Sequence, residues 1–165
     1  IVISVAYRLG VFGFYSHPDL TVSNFAPLDV IESLKWIKKN ISNVGGDPNN
    51  ITIAGESAGA TIVDHLIVSP LSKNLFHRAI HQSAGWAIAD SEIFYSDEHN
   101  KLSNQLSIEL LNVSNNKKNL DDLRKIDATQ LLHIAEEVYG TTGYYPVIDG
   151  YTIIEPVRKL SLIHI

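Results

Sequence analysis

The sequence predicts an α/β fold built on a mostly parallel sheet with flanking helices. Three segments are predicted to be short strands, at about residues 1–7, 51–54 and 79–83, and the first two are rich in β-branched residues. Each run comes before a segment of helical pattern, and strands that alternate with helices favour a parallel sheet. The second run passes through one short turn directly into a helical segment at residues 61–68. No repeat or linker interrupts the pattern, so a single, incomplete domain is expected.

The helix after the first strand has the clearest spacing. Its apolar residues recur every three or four positions, at Val30, Ile31, Leu34, Ile37 and Ile41. Asp29 can cap the start of this helix, with Glu32 three positions later. Leucines at 102, 106 and 110 indicate a later helix, and Asp127 with Gln130 forms a capping box for a helix running through Ala135. Residues 112–119 are predicted to be a polar loop.

The pentapeptide at residues 55–59, Gly-Glu-Ser-Ala-Gly, joins the second strand to its helix. In a strand–turn–helix context this is a nucleophile elbow, a strained turn that exposes a serine hydroxyl at the carboxyl end of the sheet. Strand and helix come so close there that Gly55 and Gly59 are both expected to need the absence of a side chain. Ser57 is the candidate nucleophile, and the Ala58 amide can stabilise an oxyanion at the helix N-terminus. A glycine-rich loop with an incidental serine is the alternative.

Composition excludes several classes of function. The net charge of −5, with 19% charged residues, argues against a surface for nucleic acid or another polyanion. No run reaches the roughly 20 apolar residues that a membrane-spanning helix requires. There is no cysteine for a disulfide or thiol chemistry, and the segment that begins at His133 lacks the second histidine of a zinc motif, so no metal site is expected. The cellular location and the oligomeric state are left open.

Several segments together resemble the type-B carboxylesterases, the cholinesterase-like branch of the α/β-hydrolase fold. The likeness runs from Val2 to about Val157, and His17-Pro18-Asp19-Leu20 is closer to bacterial members. The segments that carry the likeness are residues 7–14 (YRLGVFGF), 45–53 (GGDPNNITI), 55–59, 69–72 (SPLS), 75–80 (LFHRAI) and 82–83 (QS). The resemblance implies a hydrolase of small-molecule carboxylic esters that forms an acyl-enzyme on Ser57 without metal or organic cofactor. The alternative is a relative that has lost catalysis and serves as an adhesion or binding domain.

The family has a much longer catalytic domain, so this chain is expected to be an internal fragment, with residues 1–159 a partial domain. Residues 160–165 match no expected segment and resemble translated sequencing-adaptor DNA, so their origin is doubtful. The family's catalytic glutamate and histidine come after the Asp149-Gly150 region, and its other oxyanion donors come before Ile1. The isolated chain is therefore expected to be inactive.

The resemblance also implies supporting roles for other residues. Glu56 matches an acidic residue beside the nucleophile, although a turn residue held by its own hydrogen bonds is an equal alternative. Ser83 matches a serine beneath the catalytic acid and histidine, where plain structural hydrogen bonding is the other reading. Arg8 and Asp29 match a salt bridge, expected to be buried because both lie in apolar sequence; Asp29 as only a helix cap is the alternative.

Trp86 follows the third predicted strand, at the carboxyl edge of the sheet, where ligands bind in open α/β folds. It can line an acyl pocket there or be part of the hydrophobic core.

Overall fold

A two-stranded parallel sheet with helices packed against it forms the ordered centre of the molecule. The computed structural model describes residues 1–17, 19–84, 108, 109, 112, 119–139 and 146–155. Strand β1 is Thr52–Glu56 and strand β2 is Arg78–Gln82. They pair in register from Thr52 opposite Arg78 to Glu56 opposite Gln82. The partial α/β-hydrolase architecture predicted from the sequence is confirmed by this sheet and by the solved structures described below.

Helix α3 connects the two strands and packs against both. The helices of the described residues are, in chain order, α1 (Gly10–Phe14), α2 (Phe25–Asn40), α3 (Ala58–Val68), α4 (Leu120–Leu123) and α5 (Ala128–Tyr139). Single turns of 3₁₀ helix, Ile41–Val44 and Pro70–Ser72, follow α2 and α3. The capping box that predicts α5 is present, since Asp127 Oδ1 accepts hydrogen bonds from the amides of Thr129 and Gln130. The helix predicted around residues 102–110 lies outside the described residues, apart from residues 108 and 109.

Helix α2 begins earlier than its apolar pattern indicated. It starts at Phe25, so Asp29 lies inside the first turns and is not the cap. Pro27 occupies the third helical position, where the missing N–H costs nothing because the first amides of a helix have no intrahelical acceptor. The interpretation of Asp29 as only a helix cap is therefore wrong, and its carboxylate is available for another partner.

The hydrophobic core joins α2, β1 and α3. Its buried side chains are Ala26, Ile31, Leu34, Ile53, Ile62, Val63 and Leu66. Helix α3 buries a mostly apolar face against the strands, and this is the reason for its position over the sheet. Ser57 alone separates β1 from α3. The packing of core side chains from both elements therefore also fixes the turn at Ser57.

Residues 1–9 differ from the prediction. They carry no strand pairing in the part of the chain that the structure describes, where a strand at residues 1–7 was expected. An open groove of about 840 Å³ is lined by residues of both this segment, Ile1 to Val5, and β1. A β-branched pattern favours extended backbone, but a strand also needs a neighbour.

A second anchor ties the C-terminal part of the described chain to the start of α2. The fully buried Asn24 side chain donates to the Val147 carbonyl at 2.7 Å and accepts from the Val147 amide at 2.9 Å. Asp149 accepts a hydrogen bond from the Ser23 amide at 3.2 Å. Asn24 has a positive φ of 53°, which asparagine tolerates better than most residues. The Asn24 side chain therefore makes the pair of backbone hydrogen bonds with Val147 that a neighbouring strand would otherwise make.

Candidate active site

The turn between β1 and α3 holds Ser57 in a conformation that few non-glycine residues adopt. Its φ is 52° and its ψ is −116°, outside the left-handed helical region as well as the right-handed one. The Ser57 amide donates to the Gln82 carbonyl of β2 at 2.9 Å, and the Ser57 carbonyl accepts from the Thr61 amide at 3.0 Å. Ser57 is exposed. Neighbouring backbone thus holds both sides of a strained residue whose hydroxyl remains accessible.

The two glycines of the motif do not play equal parts. A Cβ atom on Gly55 would lie 2.3 Å from the carbonyl carbon and oxygen of Gly59 and 2.7 Å from the Ala60 nitrogen. A Cβ on Gly59 would meet no described atom within 4 Å. The close approach expected from the sequence therefore exists, but it demands glycine only at position 55. The expectation that Gly59 must also lack a side chain is wrong for the described residues, because none of their atoms would contact its Cβ.

Ala58 is the first residue of α3 and is exposed. The first amides of a helix have no intrahelical acceptor, and they lie at the positive end of the helix dipole. The Ala58 N–H thus adjoins the Ser57 hydroxyl at a position suited to a developing negative charge.

The carboxyl ends of both strands meet at the same edge of the sheet. Glu56 ends β1 opposite Gln82, and Ser83 follows β2 with a positive φ of 57°. Both Glu56 and Ser83 are exposed. The fold therefore brings these two predicted supporting residues to the edge that carries Ser57, and their roles there stay predictions. Trp86 lies outside the described residues, as do residues 160–165.

Arg8 and Asp29 form a two-point ion pair, as expected, but it is not buried. Arg8 Nε donates to Asp29 Oδ2 at 2.8 Å and Nη2 donates to Oδ1 at 2.6 Å. The Arg8 amide adds a third bond at 3.0 Å, and its guanidinium lies 5.1 Å from the Phe25 ring centre. These hydrogen bonds hold the pKa of Asp29 below its usual value. The side chains are 50% and 25% exposed, so the predicted burial is wrong: apolar neighbours in sequence face elsewhere in space.

His65 and His77 have structural roles. His65 lies within α3 with no exposed surface, and this burial lowers its pKa to about 3, which keeps the ring neutral at pH 7. The His77 Nδ1 atom accepts a hydrogen bond from the Ile51 amide at 3.1 Å. The sequence reasoning missed one pair, in which Asp64 Oδ1 of α3 lies 2.9 Å from His81 Nδ1 of β2. The available signal was Asp64, a single acidic residue in the mostly apolar run at residues 62–68.

The described residues contain neither a candidate metal cluster nor a helix suited to crossing a membrane. No group of three or more histidine, aspartate or glutamate side chains there could hold a metal ion. None of the helices in that part of the chain has the length and apolar character needed to cross a membrane.

Comparison with known proteins identifies related sequences over almost the whole chain. The model of the carboxylesterase family matches residues 1–163. Mouse carboxylesterase 5A is 36% identical over 163 residues, which is 98% of this chain and 28% of that protein. The fumonisin B1 esterase of Sphingopyxis macrogoltabida is 32% identical over 93% of this chain and 28% of its own length. The chain thus spans little more than a quarter of these curated relatives.

A solved structure has the same fold. The crystal structure of the Geobacillus stearothermophilus carboxylesterase EST55 superposes with a TM-score of 0.75 at 31% sequence identity. The alignment covers 92% of this chain and 32% of that one. The relatives with this likeness therefore include mammalian and bacterial proteins.

Proposed function

Because this chain belongs to the carboxylesterase family, we propose that it is part of a longer serine hydrolase that cleaves small-molecule carboxylic esters. Residues 1–159 contribute the central portion of its catalytic domain. The observation that carries the proposal is the backbone of Ser57, whose φ of 52° and ψ of −116° are maintained by a hydrogen bond to β2. Strain of this kind persists only where the surrounding structure imposes it, and it concentrates at functional sites.

The chemistry follows from the positions of Ser57 and Ala58. The Ser57 oxygen attacks the ester carbonyl carbon while its proton passes to a histidine base, which the resemblance assigns to the sequence after Gly150. The carbonyl oxygen gains the negative charge, and the Ala58 amide donates a hydrogen bond to it. The alcohol then leaves with a proton, and an acyl group remains on Ser57. Water attacks this acyl-enzyme by the same route and releases the acid.

Labelling of the full-length protein with an organophosphonate probe tests the proposal. The probe should modify Ser57, and Ser57→Ala should abolish both labelling and hydrolysis of a p-nitrophenyl ester. Removal of the nucleophile from a serine triad lowers the rate on the order of a millionfold. Ser42→Ala is the matched control, because Ser42 is equally exposed but lies in a 3₁₀ turn remote in sequence from the elbow.

Two outcomes would overturn the assignment. Unchanged turnover in Ser57→Ala would place the nucleophile elsewhere. A wild-type protein that neither reacts with the probe nor hydrolyses esters would favour the adhesion or binding domain considered as the alternative.

A further inference from the structure

A carboxylate and an imidazole meet between α3 and β2, outside the residues that the reaction uses directly. Asp64 is 4% exposed, and its Oδ1 atom lies 2.9 Å from the Nδ1 atom of His81. Its Oδ2 atom is buried without a hydrogen-bond partner among the described residues. The neighbours of Asp64 along α3, Val63 and Leu66, belong to the hydrophobic core. The Asp64 carboxylate therefore occupies a buried position where an apolar side chain is more usual.

Stability does not explain this pair. Burial raises the pKa of Asp64, and the nearby His81, which acts in the opposite direction, does not offset that effect. The ionised carboxylate thus disfavours the folded state near neutral pH. The His81 side chain is 43% exposed, so Asp64 is the buried partner, and apolar residues of similar size often replace buried charged groups with no loss of stability. A buried carboxylate that carries this cost and still makes a close contact calls for another role.

Asp64 and His81 lie on the two elements that contact the strained turn at Ser57, helix α3 and strand β2. His81 is opposite Gly55 in the sheet, and the next residue of β2, Gln82, accepts the hydrogen bond from the Ser57 amide. Asp64 is seven residues beyond Ser57, two turns and about 10 Å along the helix that begins at the elbow. Helix α3 is thus joined to β2 at two points, at its first turn through Ser57 and two turns later through Asp64.

We propose that Asp64 and His81 are positioning residues, which fix the angle of α3 against β2 and thereby hold Ser57 and the Ala58 amide in place. The inference rests on the proposed function for its catalytic consequence. A hydrogen bond has a preferred direction, whereas apolar contact does not, so the pair restrains rotation of α3 in a way that packing alone does not. Neither residue touches the substrate.

Three variants of the full-length protein separate this role from a purely structural one. In His81→Leu the N–H donor is lost, and kcat for a p-nitrophenyl ester should fall about 10- to 100-fold, the scale for a misplacement approaching 1 Å. KM should stay within about twofold, because the pair makes no contact with substrate. His81→Asn keeps an N–H near the position of Nδ1 and should retain most of the activity. His133→Leu is the control, because His133 faces Glu136 at 3.8 Å on the exposed side of α5.

The double variant Asp64→Leu/His81→Leu covers the case in which His81→Leu does not fold. It removes the buried charge together with its partner, so it should fold while kcat stays low. Full recovery of kcat in the folded double variant would overturn the inference, as would an unchanged kcat in His81→Leu.

Hydrogen exchange at the Ser57 amide separates failure of this inference from failure of the proposed function. Exchange should speed up at least tenfold in His81→Leu, whether or not the protein hydrolyses esters, and should not change in His133→Leu. If Ser57→Ala loses activity while His81→Leu keeps wild-type exchange and kcat, the proposed function stands and the positioning role is refuted. If exchange at the Ser57 amide is faster in His81→Leu but the wild-type protein has no esterase activity, the positioning of Ser57 is supported and the proposed function is refuted.

Discussion

Gly55 offers the sharpest test of the strand–helix contact beneath the nucleophile. In Gly55→Ala the new Cβ would lie 2.3 Å from the Gly59 carbonyl carbon and oxygen and 2.7 Å from the Ala60 nitrogen. All three are backbone atoms, so no side chain can rotate away to make room. Ordinary contact would require β1 and α3 to separate by about 1 Å at this point. The separation would act directly on Ser57, which lies between the two elements.

The expected cost has two parts. Overpacking of a close contact costs roughly 1–3 kcal/mol in the free energy of unfolding. A displacement of about 1 Å at a reacting group lowers the rate on the order of a hundredfold. The measurements are the midpoint of urea unfolding and kcat/KM for a p-nitrophenyl ester, both on the full-length protein.

Gly59→Ala is the matched comparison, four residues away in the same motif. Its Cβ would meet no described atom within 4 Å, and alanine suits a helix better than glycine by up to about 1 kcal/mol. The free energy of unfolding should therefore be unchanged or slightly raised in this variant. Equal stability and equal kcat/KM in the two variants would refute the close contact and the reason given for Gly55.

Two further predictions concern the ion pair and the isolated chain. Asp29→Asn should lower the free energy of unfolding by about 1–2 kcal/mol at pH 7, a moderate loss because Arg8 is half-exposed. The contact with Arg8 lowers the pKa of Asp29, so its contribution is present above the usual value of 3.8 and is lost as the pH falls below it. Urea unfolding at several pH values should show the wild type and Asp29→Asn converging in acid, with Glu32→Gln changing little throughout; a difference independent of pH would contradict the argument. Residues 1–159 expressed alone should show no Ser57-dependent hydrolysis of a p-nitrophenyl ester, because the resemblance places the acid and the histidine beyond Gly150; clear turnover that Ser57→Ala removes would show that a base exists within the fragment.

Local patterns were sufficient to predict the elements around the nucleophile. The spacing of apolar residues predicted the body of α2, and the capping residues Asp127 and Gln130 predicted the start of α5. The strands lie within two residues of their predicted ends. Such features depend on residues three or four apart, or on the conformational preferences of single residues, and the sequence displays both directly.

Burial was predicted less well than element type. Arg8 and Asp29 stand among apolar residues in the sequence, yet their side chains are partly exposed because neighbouring side chains point to different faces. The strand expected at residues 1–7 has no partner within the described chain, although its composition favours extended backbone. Whether a residue is covered depends on elements far away along the chain, and no local pattern contains that information.

By itself, the sequence determined where the turn lies and which serine it presents, because glycine spacing and a strand-to-helix change of period are local properties. Only the tertiary structure decided which glycine is indispensable, since a Cβ on Gly55 would clash with the backbone of α3 and a Cβ on Gly59 would meet no described atom within 4 Å. It alone brought Asp64 and His81 together, because that contact joins a helix to a strand 17 residues apart. It also placed Asn24 beside Val147 across more than 120 residues of chain. These contacts arise from packing, which acts between surfaces and not between neighbours in sequence.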